Sequence, residues 1–402
     1  MTKKTRTRNS PTWGDATKLV RGGLDRTPYG ETSEAVYLNS GFVYDAPETA
    51  EARFANTTNS DGGYVYGRYG NPTVTMFEER LALLEGAEAA YGVASGMAAV
   101  YGALACQLKT GDHIVSSKAL FGSCYQIITA ILPRFGITHT LVDGNDLKAW
   151  KAAFRPETKA VFLETPSNPT LEIIDMGAVG EMAKAAKACF VVDNVFATPI
   201  LQKPLQYGAD VIAYSGTKHM DGQGRVLGGA IVSTKQFKEE LLKPLLRHTG
   251  PSLSPFNAWV LLKGMETLKV RVDAQSASAH AIAEHLEAMK GVSRVIYPFL
   301  DSHPQAALAR KQMKSGGTMV TFEVKGGKDK AFDILRNLRL VDISNNLGDA
   351  KSLMTHPAST THRNIGAEAR EMMGITDGML RLSVGLEDVN DLLEDIKQAA
   401  AG

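Results

Sequence analysis

From about residue 73 onward, short apolar runs alternate with stretches of helical spacing, and this alternation restricts the fold more than any other property of the chain. VTMFEERLALLEG (74–86) has helical spacing and stops at Gly86; AEAAYGVAS then reads as a strand and GMAAVYGALACQL as the next helix. HIVSS (113–117), ITHTLVD (137–143), AVFLE (160–164), CFVVD (189–193) and ADVIAYS (209–215) read as further strands, with helical stretches such as MGAVGEMAKAAKA between several of them. Strands apolar on both faces and separated by helices predict an α/β fold with a largely parallel sheet covered on both sides. In such sheets ligands bind beyond the carboxyl ends of the strands, so residues that carry chemistry are expected just after these runs.

A chain of 402 residues exceeds the usual size of one domain. The stretch 252–289 reads as long helix, followed by strands TMVTFEV (318–324) and MLRLSVG (379–385) with helices such as DKAFDILRNL among them. These predict a smaller α+β domain over 264–402, after a large domain over 71–263. Residues 1–70 show little periodicity and include NSDGGYVYGRYGNPT. A compact domain seldom keeps so long an irregular segment to itself, so an arm contributing to a neighbouring subunit is expected.

Forty-four basic residues against forty-three acidic ones leave a net charge of +1, so no global field draws the protein to nucleic acid or an anionic membrane. Lys3, Lys4, Arg6 and Arg8 crowd the start, where a solvated tail is the ordinary reading and a nucleic-acid arm the alternative. No apolar run follows those charges as in a secretory signal, and none approaches the roughly 18 residues of a membrane span. Cys106, Cys124 and Cys189 form no CxxC pair, which fits reduced thiols in a cytoplasmic protein. His356 and His362 match no zinc spacing, so no metal is expected.

Three features stand at strand ends. Ser215-Gly216-Thr217-Lys218-His219 follows ADVIAYS: a lysine placed to condense with an aldehyde, beside hydroxyls able to hold a phosphate. On the pentapeptide alone, a solvated lysine in a Ser/Gly turn is the commoner outcome. Asp193 ends CFVVD, where a buried carboxylate needs a cationic partner such as a protonated pyridine nitrogen; a helix N-cap is the alternative. Ser95-Gly96-Met97 lies between strand and helix, where free N–H groups favour an anion, although a plain N-cap would look the same. The order anion turn, aspartate, lysine, each at a strand end, is what joins them. GQGRVLGG (222–229) lacks the GxGxxG spacing of a dinucleotide loop.

With YGRYGNPT (66–73), ASGMAA (94–99), ETPSNPTL (164–171), VVDNVFATP (191–199), YSGTKH (214–219), SNNLGDAKSLMTHPASTTH (344–362) and LRLSVGLED (380–388), the sequence resembles the Cys/Met-metabolism family of pyridoxal 5'-phosphate (PLP) enzymes from about residue 18 onward. That family includes cystathionine synthases and lyases, methionine γ-lyases and homoserine sulfhydrylases. The resemblance implies the fold of PLP-dependent transferases of the aspartate-aminotransferase type. It further implies that Lys218 holds PLP as a Schiff base and shuttles protons, and that Asp193 partners the ring nitrogen. Phosphate would be bound by the Ser95 turn through the backbone of Gly96 and Met97, by Ser215 and Thr217, and by Tyr66 and Arg68 reaching in from the neighbouring subunit. Asn168 would lie near the cofactor hydroxyl and the substrate carboxylate, which Arg381 would grip bidentately. A homotetramer built from two site-sharing dimers is expected, acting on small molecules only.

Two departures from the family pattern bear on the substrate. Phe121 stands where the family usually stacks a tyrosine on the ring, keeping the surface but losing a hydroxyl able to act as acid or base. A carboxylate leaving group, whose conjugate acid has a pKa of about 4, needs no such acid, whereas a thiolate, at about 8.5 or above, benefits from one. Ser123 stands where methionine γ-lyases carry a cysteine. In NLGDAKSL, Asn346 and Lys351 replace the serine and glutamate usual in cystathionine enzymes. Lys351 would repel a distal ammonium and attract a succinyl tail, unless it is simply a surface residue. Within the family the sequence most resembles sulfhydrylases that convert O-succinylhomoserine and sulfide to homocysteine and succinate, and Phe121 favours such an acylated donor over thioether cleavage. An O-acetylhomoserine donor, cysteine as acceptor, or a γ-lyase reaction are the alternatives within the family, and a non-catalytic PLP carrier the alternative outside it.

Overall fold

A computed structural model describes residues 9–55 and 63–401, so the basic start at Lys3 to Arg8 lies outside the described residues. Among these residues run twelve strands: β1 (Ala89–Val93), β2 (His113–Ser117), β3 (Thr138–Val142), β4 (Thr158–Glu164), β5 (Cys189–Asp193), β6 (Val211–Ser215), β7 (Gly229–Ser233), β8 (Val292–Ile296), β9 (Met319–Val324), β10 (Asp342–Ile343), β11 (Leu353–Thr355) and β12 (Met379–Ser383). β2 and β5 occupy the residues predicted for them, and the other predicted strands differ by one or two residues at their ends. Contacts divide the chain into two units: Met1–Cys106 with Ala213–Asp221 and Arg225–Thr267, and Gln107–Ile212 with Gly222–Gly224 and Leu268–Gly402.

The first unit is built on β1 paired antiparallel with β7, whose other neighbour is β6. The sequence reading lacks β7, as it lacks β8, β10 and β11 in the other unit, because GAIVS follows a glycine-rich loop and offers no alternation of its own. The glycines there have a packing reason. A Cβ on Gly229 would lie 2.1 Å from the Ser95 carbonyl oxygen, so β7 begins where two backbones touch. The helix Pro72–Glu85 is capped by Asn71, whose side chain accepts from Thr73 N–H, and ends at Gly86 in the left-handed region (φ 73°). On it, Arg80 is fully buried, and each of its three guanidinium nitrogens makes a hydrogen bond. Its guanidinium donates to the Gly22 carbonyl at 2.8 Å, the Leu262 carbonyl at 2.9 Å and the Glu34 carboxylate at 2.9 Å. This ties the early segment to the unit. Two short helices, Asp15–Arg21 and Pro47–Ala55, occur in the stretch read as irregular.

The second unit carries two sheets. In the order β5-β4-β2-β3 all neighbours are parallel, and each strand except β3 is nearly buried throughout. Leu163, Phe190, Val192 and Trp150 form a core on the face covered by the helices Leu147–Ala153 and Met176–Ala185. The five-stranded sheet β10-β11-β12-β9-β8 is mainly antiparallel and packs Val320, Phe322, Leu380 and Leu382 against the helices Leu268–Ala288 and Val389–Ala401. The helical stretch read over 252–289 forms two helices, Pro255–Glu266 and Leu268–Ala288, divided at Thr267, where φ −106° and ψ 3° leave the helical region.

Candidate active site

In the first unit, the helix Gly96–Ala105 starts directly after β1. Ser95 Oγ accepts the Ala98 N–H at 3.1 Å, so that hydroxyl acts as the N-cap. The N–H groups of Gly96 and Met97 lie in the first turn, where no helical carbonyl is available to them. A Cβ on Gly96 would fall 2.5 Å from Ser215 Cβ and 2.8 Å from its Oγ, so the last residue of β6 lies against the start of this helix. Only glycine allows that approach. Beyond Ser215, the Lys218 N–H donates to the Ser215 carbonyl at 3.4 Å, closing a turn that leaves Lys218 half-buried just past the strand. Thr217 and Gly228 exchange hydrogen bonds, with Gly228 N–H donating to Thr217 Oγ1 at 3.1 Å and Thr217 N–H to the Gly228 carbonyl at 3.3 Å. The Arg68 guanidinium stacks over Tyr66 (5.3 Å) and Tyr69 (4.9 Å) and donates to the Arg247 carbonyl; Tyr66 itself is 42 % exposed.

In the second unit, Asp193 ends β5 and Glu164 ends β4, as directly paired residues in the parallel register. With the buried Cys124 thiol, their carboxyl groups form a cluster whose members lie within 4.8 Å of one another. Burial pushes the Asp193 carboxyl up to about 6, partly opposed by the Val195 N–H that it accepts at 3.0 Å. Burial and then the Asp193 charge push Glu164 well above its usual range, opposed by the N–H groups of Phe121 and Asn168 and by Arg381. Burial likewise raises the Cys124 thiol, so it stays protonated and inert.

Arg381, in the middle of β12 and fully buried, donates from Nη1 to Asn168 Oδ1 at 2.8 Å and from Nη2 to the Asn345 carbonyl at 2.9 Å. Its Nε finds no hydrogen-bond acceptor among the described residues. Burial lowers its pKa to about 10, still charged at neutral pH, with the Glu164 charge acting to raise it. A buried guanidinium whose Nε is open is equipped to take an anion. Asn168 stands on the loop after β4, held by Thr321 Oγ1 donating to the Pro169 carbonyl at 2.7 Å, and by Gln202 Nε2 donating to the Thr165 carbonyl at 2.8 Å. Asn346 presents its carbonyl to Arg381 Nη2 at 3.4 Å. Lys351, its side chain 65 % exposed, reaches Asp349 at 3.4 Å.

Phe121 precedes the short helix Gly122–Gln126, and its N–H donates to Glu164 Oε2 at 2.8 Å. Its ring meets His362 edge-on at 6.4 Å between centroids. His362 is neutral, its pKa lowered to about 4 by burial and by Arg381. Its Nε2–H donates to the Leu120 carbonyl at 3.3 Å, leaving Nδ1 to accept from the Thr361 hydroxyl. The structure thus brings together Asp193, Phe121, Asn168, Asn346 and Arg381 around Glu164 in one unit, and Ser95, Gly96, Met97, Ser215, Thr217 and Lys218 in the other. Sequence reasoning passed over Glu164, Cys124 and His362. Glu164 opens the motif ETPSNPTL and ends a strand, the same signal that identified Asp193.

The profile of Cys/Met metabolism PLP-dependent enzymes matches residues 16–401. The chain is 54% identical over 388 residues to a Mycobacterium tuberculosis protein named O-succinylhomoserine sulfhydrylase, covering 96% of this chain and 95% of that one. A Pseudomonas aeruginosa protein of the same name is 46% identical over 385 residues, covering 96% and 94%. Among solved structures, one described as an O-acetylhomoserine (thiol)-lyase of Campylobacter jejuni, with pyridoxyl-lysine phosphate in place, superposes with a TM-score of 0.92 at 33% identity. It covers 97% of this chain and 100% of that one.

Proposed function

This chain belongs to the Cys/Met metabolism PLP-dependent enzymes, and from that premise we propose that it replaces the γ-substituent of an acylated homoserine, converting O-succinylhomoserine and sulfide to homocysteine and succinate. The residues present suit the cofactor. A phosphate is complemented by the helix start at Gly96 and Met97, where a Cβ on Gly96 would crowd Ser215 at 2.5 Å. A protonated ring nitrogen is the cation that a buried carboxylate such as Asp193, or the three-membered cluster around it, is built to accept.

When bound, PLP supplies an aldehyde that condenses with amines and a ring that stabilises negative charge on the adjacent carbon. Lys218 Nζ anchors that aldehyde in the resting enzyme and, unprotonated, removes the Cα proton of the substrate. Asp193 keeps the ring nitrogen protonated. Arg381, oriented by Asn168, holds the substrate α-carboxylate bidentately, with the open Nε as one of its donors. Ser215, Thr217 and the N–H groups after Ser95 seat the phosphate. We place Tyr66 and Arg68 at the phosphate of a neighbouring subunit, within a homotetramer in the cytoplasm. Tyr29 and Val43, 95 % and 94 % exposed on one chain, support burial of this segment in an assembly. No helix among the described residues is long and apolar enough to cross a membrane.

The observation that carries the acyl-donor reading is Phe121, held by Glu164 and bearing no acidic group. Succinate leaves as a carboxylate without needing a proton, so the Cγ–O bond breaks, the Cγ–S bond forms from hydrogen sulfide anion, and the charges balance. The purified protein is to be given O-succinyl- or O-acetylhomoserine, each with sulfide or cysteine. Homocysteine and succinate as the fastest pair support the proposal; faster acetyl use or cystathionine formation reassigns the substrate. Release of 2-oxobutanoate and ammonia from methionine as the main reaction overturns it.

A further inference from the structure

The cluster beyond β4 and β5 contains a carboxyl group for which the reaction just described has no use. Glu164 is 4 % exposed, one strand over from Asp193, and its surroundings are not those of a core residue. Oε2 accepts the Phe121 N–H at 2.8 Å, so it fixes the loop that carries the stacking ring. The Asn168 N–H and the Arg381 charge also act on it, so it joins the arginine clamp. Asp193 lies beside it, so it borders the group that meets the ring nitrogen.

We propose that Glu164 is a positioning residue that, as a neutral carboxylic acid, holds the Phe121 loop and the Asn168–Arg381 clamp in register with Asp193. This rests on the reading of Asp193, Phe121 and Arg381 as the ring and carboxylate contacts.

Counting charge supports the neutral form. Among the described residues, Asp193 on β5, Arg381 on β12 and Cys124 on the helix after Phe121 lie around Glu164, and His362 stands edge-on to the Phe121 ring. Cys124 and His362 are neutral at physiological pH. With the ring cation paired to Asp193 and the substrate carboxylate paired to Arg381, an ionised Glu164 would add one uncompensated buried charge. A protonated one adds none, still accepts two N–H groups, and has an O–H to offer Asp193.

The test compares Glu164→Ala and Glu164→Gln with the unaltered protein. Apoprotein is titrated with PLP by absorbance and fluorescence, apoprotein unfolding is followed with heat, and kcat and KM are measured separately for the acylated homoserine. Glu164→Ala leaves buried N–H groups without an acceptor, so PLP affinity is expected to fall about ten-fold and donor KM to rise about ten-fold, with kcat changing less. Glu164→Gln, uncharged and still offering a carbonyl oxygen, is expected to recover most of both losses.

PLP affinity in Glu164→Ala equal to that of the unaltered protein overturns the proposal, as does a Glu164→Gln variant as impaired as Glu164→Ala. Equal loss in both variants with unchanged apoprotein melting would mean that the charge, not the acceptor, is needed. Failure of the unaltered protein to take up PLP overturns instead the reading on which this one rests, so the two failures are distinct.

Discussion

The two groups of candidate residues are made of different materials. Around Ser95, Ser215 and Thr217 nearly everything is neutral: Ser95 caps Ala98, Thr217 and Gly228 satisfy each other, and a bare helix start provides the remaining donors. Around Asp193, Glu164 and Arg381 the structure stores buried charge, with two carboxyls raised, one guanidinium lowered and its Nε open. The neutral group is stable whether or not a ligand comes. The charged group is costly by itself and becomes balanced only when a cation and an anion arrive. Substitutions should therefore affect the two groups in opposite ways: loss of fit in one, loss of function with gain of stability in the other.

The largest effect lies outside this contrast and tests its premise. Lys218→Ala should lower turnover by on the order of 10³-fold or more, and borohydride should fix no PLP adduct on the 214–219 peptide. Next comes the clamp. Arg381→Lys keeps a charge but not the fork, so donor KM should rise roughly 10²-fold with PLP affinity much less affected. A near-normal KM would mean that the open Nε has no carboxylate to meet.

Asp193→Asn separates function from stability. The folded carboxyl sits at about 6 against an ordinary 3.8, so its stabilising contribution is complete below the lower value and lost as pH rises through the higher one. At pH 8 the buried charge therefore destabilises the apoprotein, and removing it should stabilise the apoprotein by up to about 3 kcal/mol in urea unfolding. Turnover should fall on the order of 10²-fold, because a neutral amide no longer keeps the ring nitrogen protonated. The stability difference should shrink on acidification towards pH 4. Equal stability at pH 8 would show that the two groups differ less than their charges suggest.

How much of this was legible in the sequence follows from the same distinction. The strand β5 and Asp193 at its end could be read because an apolar run terminated by a single polar residue marks where a buried sheet meets its ligand. The antiparallel β7 could not, since the glycines before it are chosen for contact with the Ser95 carbonyl, which lies far away in sequence. Glu164 carried the strand-end signal that marked Asp193, but its role depends on register with Asp193 and on the Phe121 N–H, both tertiary facts. Arg381 needed family resemblance, because in sequence it is one charge inside LRLSV and nothing local says which way it points.

In the neutral group, Gly96→Ala is the sharpest probe. Its Cβ would meet Ser215 Cβ at 2.5 Å and the Ser215 backbone at 3.0 Å, so strand and helix start must separate. The expected cost is about 1–3 kcal/mol of stability and about ten-fold in PLP affinity. Adding Ser215→Gly removes the side-chain part of the clash and should restore part of the stability but not the affinity, because the hydroxyl goes with it. Restoration of both would remove Ser215 from the phosphate-binding set.

The smallest expected effect is at Lys351, and it bears on substrate choice. Its side chain is 65 % exposed and its partner Asp349 lies at 3.4 Å, so water and that carboxylate already screen much of its charge. A succinyl tail would compete with Asp349 for the ammonium, and attraction across a wet surface is worth little at physiological ionic strength. Lys351→Glu should therefore raise KM for O-succinylhomoserine only several-fold. It should leave KM for O-acetylhomoserine, which has no distal carboxylate, nearly unchanged, and the difference should fade as salt is added. A ratio of the two KM values that does not move, at low salt as well as high, would show that the distal charge of the donor is read elsewhere in the protein.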